Sequence, residues 1–315
     1  MKQKIIIDTD PGIDDTMAIF FALSSSELDL LGLTTVYGNT PTNQGTINAL
    51  RILEIASRQD IPVYAGAEKP LDTPYTGKGE FVHGHDGQGN TNLDPPNTKA
   101  EPGSAVDFLE KVIKENPGEI ILVPIGPLTN IAELLIKNPK IAKDIKEIIL
   151  MGGNALSQGN ASPAAEANIR NDPEAADIVF SAECEISMVG LDVTNQVFME
   201  KEDIDKIVNF NSPQTNHLKK IFPFYVNFLT EFFGKEGMPT HDSSAIAYLI
   251  DRSLFETIQH PIVVETLGIS RGKTWMGTGM DKTDNNPWGN RRKINICINV
   301  EKDKVIDLII KRIAS

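Results

Sequence analysis

Four aspartates fall within eight residues near the N-terminus, Asp8-Thr9-Asp10-Pro11-Gly12-Ile13-Asp14-Asp15, directly after the apolar run Ile5-Ile6-Ile7. Like charges gathered so tightly repel by about 4 kcal/mol per pair at 4 Å near a protein surface. A chain that places them at the end of a buried strand needs a compensating cation, and an all-carboxylate donor set suits a hard divalent ion. An ordinary strand–turn–helix with N-capping aspartates accounts for one of the four, or two. It does not account for Asp10 together with both Asp14 and Asp15.

The local pattern says how these groups are held. Side chains alternate along a strand, so Asp8 and Asp10 share a face. Pro11-Gly12 breaks the strand, and Asp14 and Asp15 open a helix running to about residue 23, where acids are favoured by the helix dipole. Adjacent helical residues point about 100° apart. One of the pair is therefore expected to ligate the ion and the other to face a ligand bound beside it.

Segments 4–8, 30–36, 62–65, 119–124, 147–151 and 186–191 read as strands. Between them, 15–23, 42–58, 105–114, 128–137 and 173–180 read as helices. This alternation predicts an α/β fold: an open, mostly parallel, Rossmann-like sheet with helices on both faces. The nearly continuous apolar character of the strands agrees with burial on both sides. The last third adds a long helix at 212–234, a helix at 242–249, a strand pair 262–265 with 293–300, and a closing helix at 302–314. No linker interrupts the chain, so residues 1–315 read as one domain. The Gly/Pro-rich stretches 66–103 and 272–290 read as long, functional loops.

Open α/β sheets bind ligands beyond the carboxyl ends of their strands. Those ends are chemically loaded: Asp8-Thr9-Asp10, Tyr37-Gly38-Asn39, Pro124-Ile125-Gly126-Pro127-Leu128-Thr129-Asn130, Met151-Gly152-Gly153-Asn154 and Asp192-Val193-Thr194-Asn195. Further along, Thr240-His241-Asp242 precedes an apolar helix. Asp242 is most simply its N-cap, while His beside Asp also suits a metal ligand with a general acid. Asn160, Glu166 and Asn168 share a loop and suit several hydroxyls; a merely solvated loop is the even alternative. His83-Gly84-His85-Asp86-Gly87 lies in the first long loop and reads as a substrate-covering segment. Phe222, Phe224, Tyr225, Phe228, Phe232 and Phe233 crowd one helix, as core packing or as a stacking wall.

Composition excludes other classes. Of 315 residues, 40% are hydrophobic and 23% charged, as in soluble globular proteins. A net charge of −13 argues against a nucleic-acid-binding surface. Cys184 and Cys297 lie far apart and form no metal or redox motif. No apolar run reaches the ~18 residues of a membrane helix. The chain enters a strand within four residues, leaving no room for a signal peptide, so a cytoplasmic location is expected.

The opening motif resembles the N-terminal fingerprint of the nucleoside hydrolases, the inosine-uridine-preferring nucleoside N-ribohydrolase family. The similarity recurs in order at Tyr37-Gly38-Asn39, His83-Gly84 with Asp86-Gly87, Gly126 to Asn130, Met151-Gly152-Gly153, Asn160 to Asn168, Asp172-Pro173-Glu174-Ala175-Ala176 and His241-Asp242. This resemblance implies a Ca²⁺ ion held by Asp10, Asp15, Asp242 and the backbone carbonyl of Ile125, which assigns Asp15 to the metal and Asp14 to the substrate. Ribose hydroxyls are implied to meet Asp14, Asn39, Asn160, Glu166, Asn168 and Asp242, with Met151 and His83 also lining the substrate site. Asp10 matches the general base, His241 the histidine near the leaving base, and His83 is a second candidate for that role. Asp8 is left to support its neighbours from behind.

The reaction implied is hydrolysis of the N-glycosidic bond of a ribonucleoside to ribose and a free base, for salvage or catabolism, by a homodimer or homotetramer. Three positions depart from the family's usual pattern. Ala167 replaces a common aromatic, Ser243-Ser244 follows His-Asp, and His85 occupies the loop; Ala167 leaves pocket size and base preference open. One alternative is a phosphohydrolase of the haloacid dehalogenase type, which also ends its first strand in Asp-x-Asp, with the first Asp as nucleophile. It usually carries Thr or Val where this chain has Gly12. The other is a non-catalytic, Ca²⁺-dependent nucleoside or sugar binder.

Overall fold

The computed structural model describes residues 2–77, 79–278 and 286–314. Its first strand, β1 (Gln3–Thr9), shows why the N-terminal motif sits where it does. Ile5 and Ile7 enter the core on one face and Ile6 the core on the other, so the strand is apolar throughout and lies mid-sheet. Parallel neighbours flank it: β2 (Leu28–Thr35) on one side and β4 (Ile121–Pro124) on the other. Outside β2 lies β3 (Val63–Ala65); outside β4 lie β5 (Glu147–Met151) and β6 (Ile186–Val189). The strand Ile294–Val300 extends the sheet in parallel beside β6, and Phe255–His260 closes the edge antiparallel.

Helices cover both faces, as the alternating pattern implies. The first helix, α1 (Ile13–Leu23), packs on one face with Thr42–Ile55, Pro213–Phe233, His241–Ile250 and Lys302–Ile313. Ala105–Glu115, Thr129–Lys137 and Pro173–Phe180 pack on the other. Sheet order runs outward from β1 in one direction and from β4 in the other. The crevice beyond the carboxyl ends of β1 and β4 is therefore the topological switch point, where such sheets bind ligands.

Two expectations are corrected. Segment 293–300 does not pair with 262–265. It pairs with β6 and with Phe255–His260, whereas Ile262–Val264 forms a separate hairpin with Thr274–Met276. An exposed antiparallel edge such as Phe255–His260 buries only Phe255 fully, so it carries little apolar signal. The helix expected over 42–58 ends at Ile55, because Ser57 adopts a left-handed conformation (φ 55°) that closes it. Loop 66–103 contains one helical turn, Glu80–His83, among the described residues. Of the loop expected over 272–290, residues 279–285 lie outside the described residues.

Candidate active site

Asp10 follows β1 into the crevice and is buried. The backbone N–H of Asn39 donates to its Oδ2 at 2.7 Å, while Oδ1 has no partner among the described residues. Behind it, Asp8 Oδ1 accepts from Thr34 Oγ1 (2.5 Å) and Asn130 Nδ2 (2.7 Å). The phosphohydrolase alternative is not favoured: its nucleophile would be Asp8, whose Oδ1 is tied up by the Thr34 hydroxyl and the Asn130 amide.

The start of α1 brings two more carboxylates to Asp10. Free N–H groups at a helix start need acceptors. Asp15 Oδ2 accepts from Gly12 N (2.9 Å) and Asn39 Nδ2 (3.0 Å), and its Oδ1 from Thr9 Oγ1 (2.5 Å). Asp14 Oδ1 accepts from Asp15 N (3.2 Å). Both side chains thus curl back over the helix end. The expectation that Asp14 and Asp15 diverge is not met: one carboxylate oxygen from each, with one from Asp242, lie within 4.8 Å of one another. Asp242 is not the N-cap of its helix; Thr240 is, and Asp242 stands in the first turn facing the cluster.

Burial works against this much charge. It pushes Asp14 and Asp15 up to about 6 and Asp8 up to about 7, from an ordinary 3.8. It also raises Asp10 and Asp242 well above that value, with the neighbouring carboxylates adding to the effect. Hard oxygen donors that converge, repel one another and leave Asp10 Oδ1 unpartnered fit a divalent cation such as Ca²⁺.

Neighbouring strand ends supply the polar rim. Asn168 Nδ2 donates to the carbonyls of Ile125 (2.9 Å) and Met151 (3.2 Å), tying β4 to β5. Glu166 accepts three backbone N–H groups, from Gly153, Asn168 and Ile169, at 2.8–3.1 Å. It caps the short helix Ala167–Asn171 and lines the cavity as well. Asn160 Oδ1 accepts from Ala167 N at 3.0 Å, and its Nδ2 bonds none of the described residues.

Two imidazoles complete the wall. His83 stacks at 5.5 Å against Tyr225, and its Nδ1 receives the Ile13 N–H at 3.2 Å. His241 Nδ1 lies 2.8 Å from Thr194 Oγ1. Burial lowers both imidazoles to about 4, so they are neutral at physiological pH. His85, by contrast, is exposed and pairs with Glu80 at 2.9 Å. Asp86 spends its carboxylate on the backbone of Gln88, Asn90 and Asn92, folding that loop on itself.

The cavity measures about 920 Å³, within the range of small-molecule sites. Every expected substrate residue lines it, namely Asp14, Asn39, His83, Met151, Asn160, Glu166, Asn168 and Asp242, together with His241 and Ile125. The aromatic stripe divides: Phe222 is core, while Tyr225 and Phe228 are wall. Sequence reasoning passed over Tyr75, whose hydroxyl donates to Gly38 O at 2.9 Å, and Arg170. Only the long loop pointed toward Tyr75.

Carboxylates to balance a developing cation, amides for hydroxyls and imidazoles for a leaving group equip a protein to split a glycosidic bond. The class is a hydrolase of glycosyl bonds built on an α/β fold. More narrowly, the chain belongs to the inosine-uridine preferring nucleoside hydrolase family, whose profile matches residues 5–307. It is 41% identical over 314 residues to probable uridine nucleosidase 2 of Arabidopsis thaliana, covering 99% of this chain and 98% of that protein. It is 39% identical to the pyrimidine-specific ribonucleoside hydrolase RihA of Photobacterium profundum, over the whole of both chains. Among solved structures, a plant nucleoside hydrolase superposes with TM-score 0.96 at 38% identity over 100% of both chains. A purine-preferring ribonucleoside hydrolase from Gardnerella vaginalis superposes with TM-score 0.92 at 32% identity, over 99% of this chain and 98% of that one. The chain is therefore a ribonucleoside hydrolase acting on N-glycosyl bonds.

Proposed function

We propose that this chain is a Ca²⁺-dependent hydrolase of pyrimidine ribonucleosides, uridine foremost, serving nucleoside salvage or catabolism. The observation that carries the metal is the convergence of Asp14, Asp15 and Asp242 within 4.8 Å beside the unpartnered Oδ1 of Asp10. Uridine is favoured by the names of two relatives, a uridine nucleosidase and a pyrimidine-specific hydrolase.

Asp10, Asp15, Asp242 and the Ile125 carbonyl would hold the ion, and Asp14, whose oxygen converges with those of Asp15 and Asp242 and whose side chain lines the cavity, would meet the sugar beside it. When bound, the ion supplies charge compensation for the carboxylates and acidifies water nearby. Asn39, Asn160, Glu166 and Asn168 orient the ribose through its hydroxyls. Asp10 takes a proton from the attacking water as the bond to the base lengthens. Positive charge builds on the sugar, and the surrounding carboxylates stabilise it. His241 and His83 meet the departing base.

The test is ribose release from a panel of ribonucleosides, with Ca²⁺ and with a chelator. Uridine should be split with Ca²⁺, and chelation should abolish turnover until Ca²⁺ is restored. No reducing sugar from any ribonucleoside would overturn the reading. Nucleoside-induced thermal stabilisation without turnover would instead support a binding protein.

A further inference from the structure

His241 has one hydrogen-bond partner among the described residues, the Thr194 hydroxyl 2.8 Å from Nδ1. Thr194 is fully buried and ends the one-turn helix Leu191–Thr194 that follows β6. Its hydroxyl makes no second bond among the described residues. The carbonyl one turn back, Gly190 O, is taken by the backbone N–H groups of Val193 and Thr194 instead.

That isolation determines the direction of the bond. A hydroxyl carries one proton, and a buried donor left unpaired costs about 1–3 kcal/mol. Were Nδ1 protonated, Thr194 would have to accept, and its own proton would point at nothing. With Thr194 donating, both groups are satisfied and the imidazole proton sits on Nε2. That nitrogen bonds no described residue, and His241 lines the cavity.

His83 reaches the same state by another route. Its Nδ1 receives the Ile13 backbone N–H, which can only donate, so the proton is again on Nε2. Asp14 Oδ1, 3.8 Å from that Nδ1, lies beyond hydrogen-bond reach. Two unrelated partners thus impose one tautomer on both cavity imidazoles.

We propose that Thr194 is a positioning residue: it donates to Nδ1 and holds His241 as the Nε2–H tautomer, a fixed hydrogen-bond donor toward an acceptor atom of the departing base. This rests on the ribonucleoside reading above. The C1′–N bond breaks and its electron pair leaves with the base. Nε2–H stabilises that charge through a hydrogen bond without surrendering its proton, so His241 stays neutral. The base then takes its proton from solvent, while Asp10 keeps the one removed from water.

The experiment compares Thr194→Val, which deletes the hydroxyl at nearly constant shape, with Thr194→Ser, which keeps it. Substrates are uridine and 4-nitrophenyl β-D-ribofuranoside, whose nitrophenolate leaves without a donor. Thr194→Val should lower kcat on uridine at least roughly tenfold, with KM within about threefold and the nitrophenyl riboside within about twofold; Thr194→Ser should stay near wild type. In parallel, ¹⁵N imidazole spectra of the wild type should show an unprotonated Nδ1 for His241, assigned by its loss in His241→Gln. Undiminished uridine turnover in Thr194→Val, an equal loss on both substrates, or a protonated Nδ1 would each overturn the proposal. If the wild type splits no riboside, the proposed function falls, and the nitrogen spectrum still decides the tautomer.

Discussion

Gly38 lies so close to Asp10 that a Cβ built on it would stand 1.9 Å from Asp10 Oδ2; one built on Gly126 would stand 2.5 Å from Oδ1. Neither glycine has a positive φ. Their lack of a side chain serves to clamp the carboxylate between the ends of β2 and β4. Gly126→Ala must therefore push Asp10 aside. Displacement of a reacting group by about 1 Å can cost about 100-fold in rate, and a fall in kcat of that order is expected, read by ribose release from uridine. Wild-type kcat in a folded Gly126→Ala variant would show that the clamp does not position Asp10.

The buried carboxylates make metal-free stability pH-dependent. Asp8 at about 7, and Asp10 and Asp242 raised well above their ordinary value, hold protons in the folded state that the unfolded chain releases near 3.8. Their contribution is complete below the unfolded value and is lost as pH rises through the folded one. His83, His217 and His241 act oppositely: lowered from 6.5 to about 4, they cost stability as pH falls below 6.5. The histidines' gain is complete by about pH 7.5, while the raised carboxylates, Asp10 and Asp242 above all, go on losing protons, so the melting temperature with chelator should be lower at pH 8 than at pH 6.5. Added Ca²⁺ should raise it most at pH 8, where the ion no longer competes with protons. Thermal melts at three pH values decide this; a chelated protein equally stable at pH 6.5 and 8 would contradict it.

What could be read in advance follows from which contacts are local. Ile5, Ile6 and Ile7 announce a central strand, and Asp10 beyond it announces the site, because strand period and switch-point chemistry are both written in consecutive residues. The ordered motifs from Gly38 to Asp242 carried the rest of the cavity wall. The convergence of Asp14 and Asp15 was not legible. Helical periodicity describes mid-helix side chains, and these two fold back over a helix end. Thr194 stood in a loaded strand end, yet its bond to His241 spans 47 residues and depends on how two helices dock. The edge strand Phe255–His260 escaped notice because its burial comes from one residue.

Asp10→Asn isolates the general base. The amide keeps the shape and can still accept the Asn39 N–H at the Oδ2 position, but it cannot take a proton. Turnover should fall by about 10²–10⁴-fold, the usual contribution of a positioned base, while KM changes only a few-fold. Kinetics on uridine at saturating Ca²⁺ measure both. Undiminished kcat would remove Asp10 from the proton transfer.

The loop bearing Asn160 and Glu166 is held from outside the cavity by Asp192. Its carboxylate accepts the backbone N–H groups of Ala155, Leu156 and Ser157 at 2.7–2.8 Å. Lys273 Nζ meanwhile donates to the carbonyls of Asn154 (2.6 Å) and Ser157 (3.2 Å). Opposite charges from Asp192 and Lys273 thus order four residues, Asn154 to Ser157, that otherwise lack regular structure. Asp192→Ala strips three charge-assisted, part-buried bonds from backbone N–H groups, so a loss of about 1–3 kcal/mol in stability is expected. The loosened loop should bind ribose less well, raising KM for uridine more than it lowers kcat, because the removed contact touches no reacting atom. Chemical denaturation and steady-state kinetics read the two effects separately. An unchanged KM in a destabilised variant would mean that Asn160 and Glu166 keep their places without Asp192.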